Sequence, residues 1–159
     1  MKRETLFLKF VVILMGIPVL ALSIFVLPGF AEYAAKIVPE FPYIKYFFSI
    51  GLYITAVIFF FALYQTLKLL SYIDQGKAFS ELSVNVLKKI KYSAIAIGAI
   101  YVAELPIIYL IADADDAPGL ILIGLIITFA SVVISVFAAV LEKLLKHAFE
   151  IKSENDLTV

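Results

Sequence analysis

Apolar positions along this chain come in long unbroken stretches, not in the alternation of strands or the one-sided stripes of soluble helices. Phe10 to Leu27 is free of charge for 18 residues, Tyr46 to Leu67 for 22 and Ala117 to Leu141 for 25. Tyr92 to Ala112 adds 21 residues with a single charge, Glu104. A helix needs about 20 apolar residues to cross ~30 Å of hydrocarbon, whereas barrel strands are half as long and alternate. The pattern predicts an all-α integral membrane protein, a four-transmembrane-helix bundle forming one domain over residues 1–159. The helices are expected at about 6–28, 44–74, 80–112 and 118–152. Lys2, Arg3 and Lys9 resemble the basic start of a signal peptide, but the apolar run is longer than an h-region and no small-x-small cleavage site follows. The first run is therefore expected to be a retained helix.

The polar segments orient the helices and extend them. Eleven of the 13 basic residues lie in the N-terminus, the 68–91 connection and the C-terminal tail, and only Lys36 and Lys45 lie in the other connections. This places both termini in the cytoplasm. Tyr33, Tyr43 and Tyr46 fall near the outer interface, Tyr72 and Tyr92 near the inner one. Helices two, three and four are expected to continue into the cytoplasm. Gly76 suits a left-handed stop, Ser80 an N-cap, and Phe79, Leu82, Val86, Leu87 and Ile90 form a helical stripe. The stripe Leu141, Leu144, Leu145, Ala148 and Ile151 carries helix four onward against this hairpin, with Glu142–Lys146 and Lys146–Glu150 spaced as i,i+4 pairs and fraying from Ser153. On the outer side, Gly29 to Pro42 reads as a short connection with one or two helical turns over residues 31–38 lying on the membrane surface. Gly16 and Pro18 predict a kink in helix one.

Composition narrows the chemistry. The chain is 64% hydrophobic and 16% charged, with no cysteine and no tryptophan, which excludes an ordinary soluble globule. Without cysteine there are no disulfides, thiolate metal sites or iron–sulfur clusters, and a net charge of zero gives no electrostatic case for nucleic acid. Glycine-rich phosphate loops, paired membrane carboxylates and nucleophile–base pairs are missing too, so neither an enzyme nor a cofactor is expected. Asp113, Asp115 and Asp116 lack the glycine and glutamate of a calcium loop and are read as a topology signal, with no metal site. His147 stands alone on a charged surface.

Two regions hold candidate sites. Glu104 lies near the middle of helix three, where an acid costs about 3 kcal/mol to insert unless it is neutralised or faces the bundle interior. Burial there favours the neutral carboxyl, and Pro106 withholds an N–H from the carbonyl of Val102 nearby. Thr55, Thr128 and Ser131 stand at a similar depth and Tyr101 one turn earlier, so these groups are expected to bind a ligand or proton together, or to hold the helices together through a protonated acid. Small residues at four-residue spacing, Ala94 with Gly98 and Ala99 with Ala103, are expected to pack helices. At the hairpin, Gly76, Phe79, Ser80, Lys88, Lys89 and Lys91 form a candidate docking surface for a soluble partner, or a contact for anionic head groups worth about 1 kcal/mol per basic residue.

The hairpin residues Leu70, Ile73, Gly76-Lys77-Ala78-Phe79-Ser80 and Leu87-Lys88-Lys89-Ile90 resemble those of a bacterial four-helix membrane family catalogued as domain of unknown function 2975, over about Phe7 to Phe149. The resemblance implies a multi-pass protein of the bacterial cytoplasmic membrane. Some members are encoded beside a small helix-turn-helix regulator of the Cro type, which implies a soluble transcriptional regulator as partner. The family carries no catalytic or binding residues over. The leading expectation is a non-enzymatic sensory or regulatory module that binds a soluble partner through its hairpin. The alternatives are a small proton-coupled transporter or resistance protein using Glu104, working as a homo-oligomer, and a structural subunit. The lack of tryptophan counts against an aromatic cage for organic cations.

Overall fold

A computed structural model describes residues 2–40 and 43–157, and every regular element among them is helical. Helix α1 (Lys2–Ala21), a π-helical turn (Leu22–Val26) and α2 (Leu27–Ile37) run on without a break, followed by α3 (Ile44–Asp74), α4 (Glu81–Ala114) and α5 (Gly119–Leu157). Four continuous helices are thus long and apolar enough to cross a membrane, as the uncharged runs predict. Helices α3, α4 and α5 have 31, 34 and 39 residues, or about 46, 51 and 58 Å, well beyond one hydrocarbon thickness.

The first helix departs from expectation. It spans 36 residues and passes straight through Pro28 and Gly29, so residues 31–37 continue the same helix instead of forming separate turns on a surface. Proline occupies the first turn of α2, where its missing N–H is least needed, and Ala31 and Ala34 are small enough to bury against neighbouring helices. Helix α1 continues through Gly16 and Pro18 with a π segment one turn later, and Gly16 faces Phe60 and Leu63 of α3. Phe41 and Pro42, the end of the expected connection, lie outside the described residues. At the other end of the chain, α5 stays helical through Ser153 to Leu157.

Substantial contacts join consecutive spans: α1 to α3, α3 to α4 and α4 to α5, with α2 also resting on α3 and touching α4. The spans therefore form an open row in which α4 has a neighbour on either side. Both chain ends and the α3–α4 turn share one end of this row, here the terminal end, and the α2–α3 and α4–α5 connections share the distal end. At the terminal end Lys9 pairs with Asp74 at 2.9 Å, with Thr5 donating to the same carboxylate, and Lys91 of α4 pairs with Glu142 of α5 at 2.7 Å. Glu142 thus bonds across helices and not to Lys146 along its own. At the distal end Ala34, Val38, Ile44, Phe48, Ile108 and Ile111 form a buried cluster, and Tyr33 donates to Asp115.

Both turns at the ends of α3 and α4 are closed the same way. Gly76, at φ 73°, donates to the carbonyl of Ile73 (3.1 Å), and Lys77 donates to that of Tyr72 (2.7 Å), the double bond of a Schellman cap. Ser80 then caps α4, its Oγ accepting from the Ser83 N–H, while both serine hydroxyls donate to the Lys77 carbonyl. Asp116, at φ 50°, takes the glycine position in the corresponding cap of α4. A Cβ in the left-handed region costs about 1–2 kcal/mol. Gly76→Ala is therefore expected to lower the thermal midpoint of the purified protein in detergent, whereas Gly29→Ala, with open space around it and no positive φ, leaves it level or raises it. Equal midpoints for the two variants would show that the hairpin does not depend on this cap.

Candidate functional site

Helix α4 positions the membrane carboxyl. With α3 on one side, α5 on the other and α2 touching it, α4 is the most buried of the spans, and Glu104 is 5% exposed. The side chain lies over Gly51 of α3: a Cβ at Gly51 would come within 2.8 Å of Glu104 Cδ and closer still to Oε1. Any other residue at 51 would occupy the place of the carboxyl. The second oxygen, Oε2, is buried with no hydrogen-bond partner.

The hydroxyls expected around Glu104 are spent elsewhere. Thr55 donates to Leu52 O (2.7 Å), Thr128 to Gly124 O (2.8 Å) and Ser131 to Ile127 O (2.9 Å), each on its own helix. A Ser or Thr in a membrane helix has a carbonyl of the preceding turn within reach, and here each hydroxyl donates to it. Ser131 packs its Cβ against Gly98 on the α4–α5 seam instead. Tyr101 does stand beside one of these hydroxyls, sharing a cavity wall with Thr55. Two groups went unnoticed in the sequence. Gly51 gave no signal, since a glycine in a membrane helix is commonplace, but Gln65 was legible as the one amide in the uncharged run Tyr46 to Leu67. Gln65 is 3% exposed and its Oε1 is unpartnered as well.

Beside this seam lie two cavities of about 330 and 180 Å³ that share Leu27, Leu52, Tyr101 and Ile127, so they form one continuous groove. The first also takes in Ser23, Thr55 and Phe59, the second Phe30, Phe48 and Ile111.

At the hairpin, Phe79 and Leu82 are exposed (53% and 46%), as are Lys77, Lys88 and Lys89. Lys91 is not available in the same way, because Glu142 holds its ammonium, which also lies 4.8 Å from the Tyr92 ring. Gly76 and Ser80 shape the turn. On α5, Leu144 and Ile151 are exposed, while Leu145 and Ala148 are half-buried, so only part of that stripe meets a neighbour. Of the small-residue pairs, Ala94 and Gly98 are buried and Ala99 and Ala103 face outward.

A family model described as "Protein of unknown function (DUF2975)" matches residues 29–159. The chain is 60% identical over 158 residues to "Uncharacterized membrane protein YoaS" of Bacillus subtilis (strain 168), covering 99% of each chain. No solved structure matches.

The contact between Gly51 and Glu104 makes a pairwise prediction. Gly51→Ala is expected to destabilise the protein, and Glu104→Ala in that background to recover part of the loss. The coupling should be on the order of 1 kcal/mol in a double-mutant cycle of thermal unfolding in detergent. Strict additivity would remove the contact.

Proposed function

From the premise that the chain belongs to the DUF2975 family of membrane proteins, we propose that it is a non-enzymatic sensory or regulatory module of the bacterial cytoplasmic membrane. Both termini face the cytoplasm, and the α3–α4 hairpin binds a soluble partner, with a small helix-turn-helix regulator as the candidate. The observation that carries this reading is the exposed pair Phe79, in the α3–α4 turn, and Leu82, in the first turn of α4, beyond the apolar run and near Lys77, Lys88 and Lys89 in sequence. Large apolar side chains set among charges, on a turn fixed by the caps of α3 and α4, suit a protein contact better than water. The excess of basic residues at the terminal end supports the orientation, with 11 there against 2 at the distal end. The same lysines also favour anionic head groups at that face.

A second reading, a proton-coupled transporter using Glu104, rests on the buried carboxyl with its unpartnered oxygen. It predicts that Glu104→Gln abolishes transport or resistance.

Photo-crosslinking from position 79 in living cells tests the hairpin reading. A discrete adduct with a soluble protein is expected, lost on Lys88→Glu with Lys89→Glu and missing when the crosslinker sits at the exposed Phe47 of the distal end. Adducts that are the same from both positions, or unchanged by the charge reversals, would overturn it.

A further inference from the structure

One side of the row of helices is concave. The groove there is walled by α1 and α2 with their π turn, and by α3, α4 and α5. It opens sideways, since the first span and α5 line it from opposite rims without substantial contact between them. Such a mouth admits molecules already dissolved in the bilayer, and Leu27, Phe30, Phe48, Leu52, Phe59 and Ile127 offer them an apolar bed. Of the few polar groups in the lining, Ser23 and Thr55 belong to the larger cavity and Tyr101 to both. The π turn supplies Leu22 and Ser23 to the wall, and π turns in helices concentrate at functional sites.

Glu104 does not line this groove, its carboxyl lying against Gly51 of α3, but its place on α4 relates it to the lining. On α4 the lining residues Ile97, Tyr101, Ile108 and Ile111 fall on one helical face, and Glu104 occupies the vacant step of that face between Tyr101 and Ile108. Its Oε2 is buried without a partner, and no lysine or arginine lies in the α4 run from Tyr92 to Ala112 or among the groove residues. A solitary acid beside an apolar groove calls for one complement, a positive charge with N–H donors attached to an apolar body. We propose that the groove binds a membrane-soluble amphiphilic amine, its ammonium paired with the Glu104 carboxylate beside Tyr101 and its hydrocarbon part lying along Leu52 and Ile127. The pairing requires the Glu104 side chain to turn from its seat over Gly51 toward the groove. Recognition then rests on the ion pair and the Tyr101 face, not on a tryptophan cage. This site is independent of the hairpin reading, because it concerns binding within the membrane and not contact with a soluble protein.

The test is equilibrium binding of a fluorescent long-chain alkylamine to the full chain in nanodiscs, beside the same molecule with its amine acetylated. The amine is expected to bind saturably, and the neutral acetamide more weakly by on the order of 30-fold, the loss typical of removing one partner of a buried charge pair. Glu104→Gln should erase the difference by weakening only the amine. Ile127→Trp, which fills the groove away from the carboxyl, should weaken both compounds. Equal binding of amine and acetamide to the unaltered protein overturns the proposal even if Glu104→Gln fails to fold, and so does full amine affinity in either variant.

Discussion

Between apolar helices in hydrocarbon, burial supplies little net drive, because lipid tails are as apolar as leucine, and close van der Waals contact has to join the helices. Each seam of this row depends on a glycine that permits such contact. Gly16 lets α1 approach Leu63 and Phe60 of α3, a Cβ there falling 3.3 and 3.4 Å from their side chains. Gly51 gives α3 the space taken by the Glu104 side chain of α4. Gly98 meets Ser131, and Gly124 meets Leu105 and Ile108, at 3.1–3.3 Å from the missing Cβ, across the α4–α5 seam. The glycines link neighbours in chain order, α1 to α3 to α4 to α5, and that succession is why the helices line up in a row.

An open row leaves one side of the hydrocarbon-depth region unfilled, and the ends compensate. The terminal end is fastened by two ion pairs between adjacent helices, Lys9–Asp74 and Lys91–Glu142, with all four side chains only partly exposed. The distal end is fastened by the cluster around Phe48 and Ile111, by the Phe30–Phe48 ring contact at 5.4 Å and by Tyr33 on Asp115. The 36-residue first helix matters here, since only by running on past Pro28 does it deliver Phe30, Tyr33 and Ala34 to that cluster. Between the two fastenings the first and last spans stay apart, and the groove occupies that interval.

The spans were legible in the sequence because hydrocarbon thickness sets a length that no other fold imitates. The hairpin was legible because Gly76 and Ser80 are punctuation with a backbone mechanism. What escaped has physical reasons too. Pro28 and Gly29 look like a loop in sequence, yet proline is at home in the first turn of a helix, and the π turn before it carries no residue signature. Glu142 had two cations to choose from, and i,i+4 spacing favoured Lys146 until packing brought Lys91 to it. Thr55, Thr128 and Ser131 matched Glu104 in depth, but depth does not fix a hydrogen-bond partner, and each donates to a carbonyl of its own helix. Lipid-facing and helix-facing positions are both apolar, so the sequence could not show which face of α4 is turned to the groove; only Glu104, whose burial demands an interior, marked it.

That same helix joins the two candidate sites. Glu104 and the exposed Leu82 lie 22 residues apart on the unbroken α4, about 33 Å at 1.5 Å per residue, and Lys91 stands between them in its pair with Glu142. Pro106 falls on the far side of Glu104 from the hairpin, so the stretch from 82 to 104 contains no proline, and its one glycine, Gly98, is packed against Ser131. Between Glu104 and Leu82 the helix is thus uninterrupted, with no proline to act as a hinge. Helix α5 offers a second connection, because it lines the groove at Ile127 and holds Lys91 through Glu142. Along that path the α4–α5 seam is held close by Gly98 against Ser131.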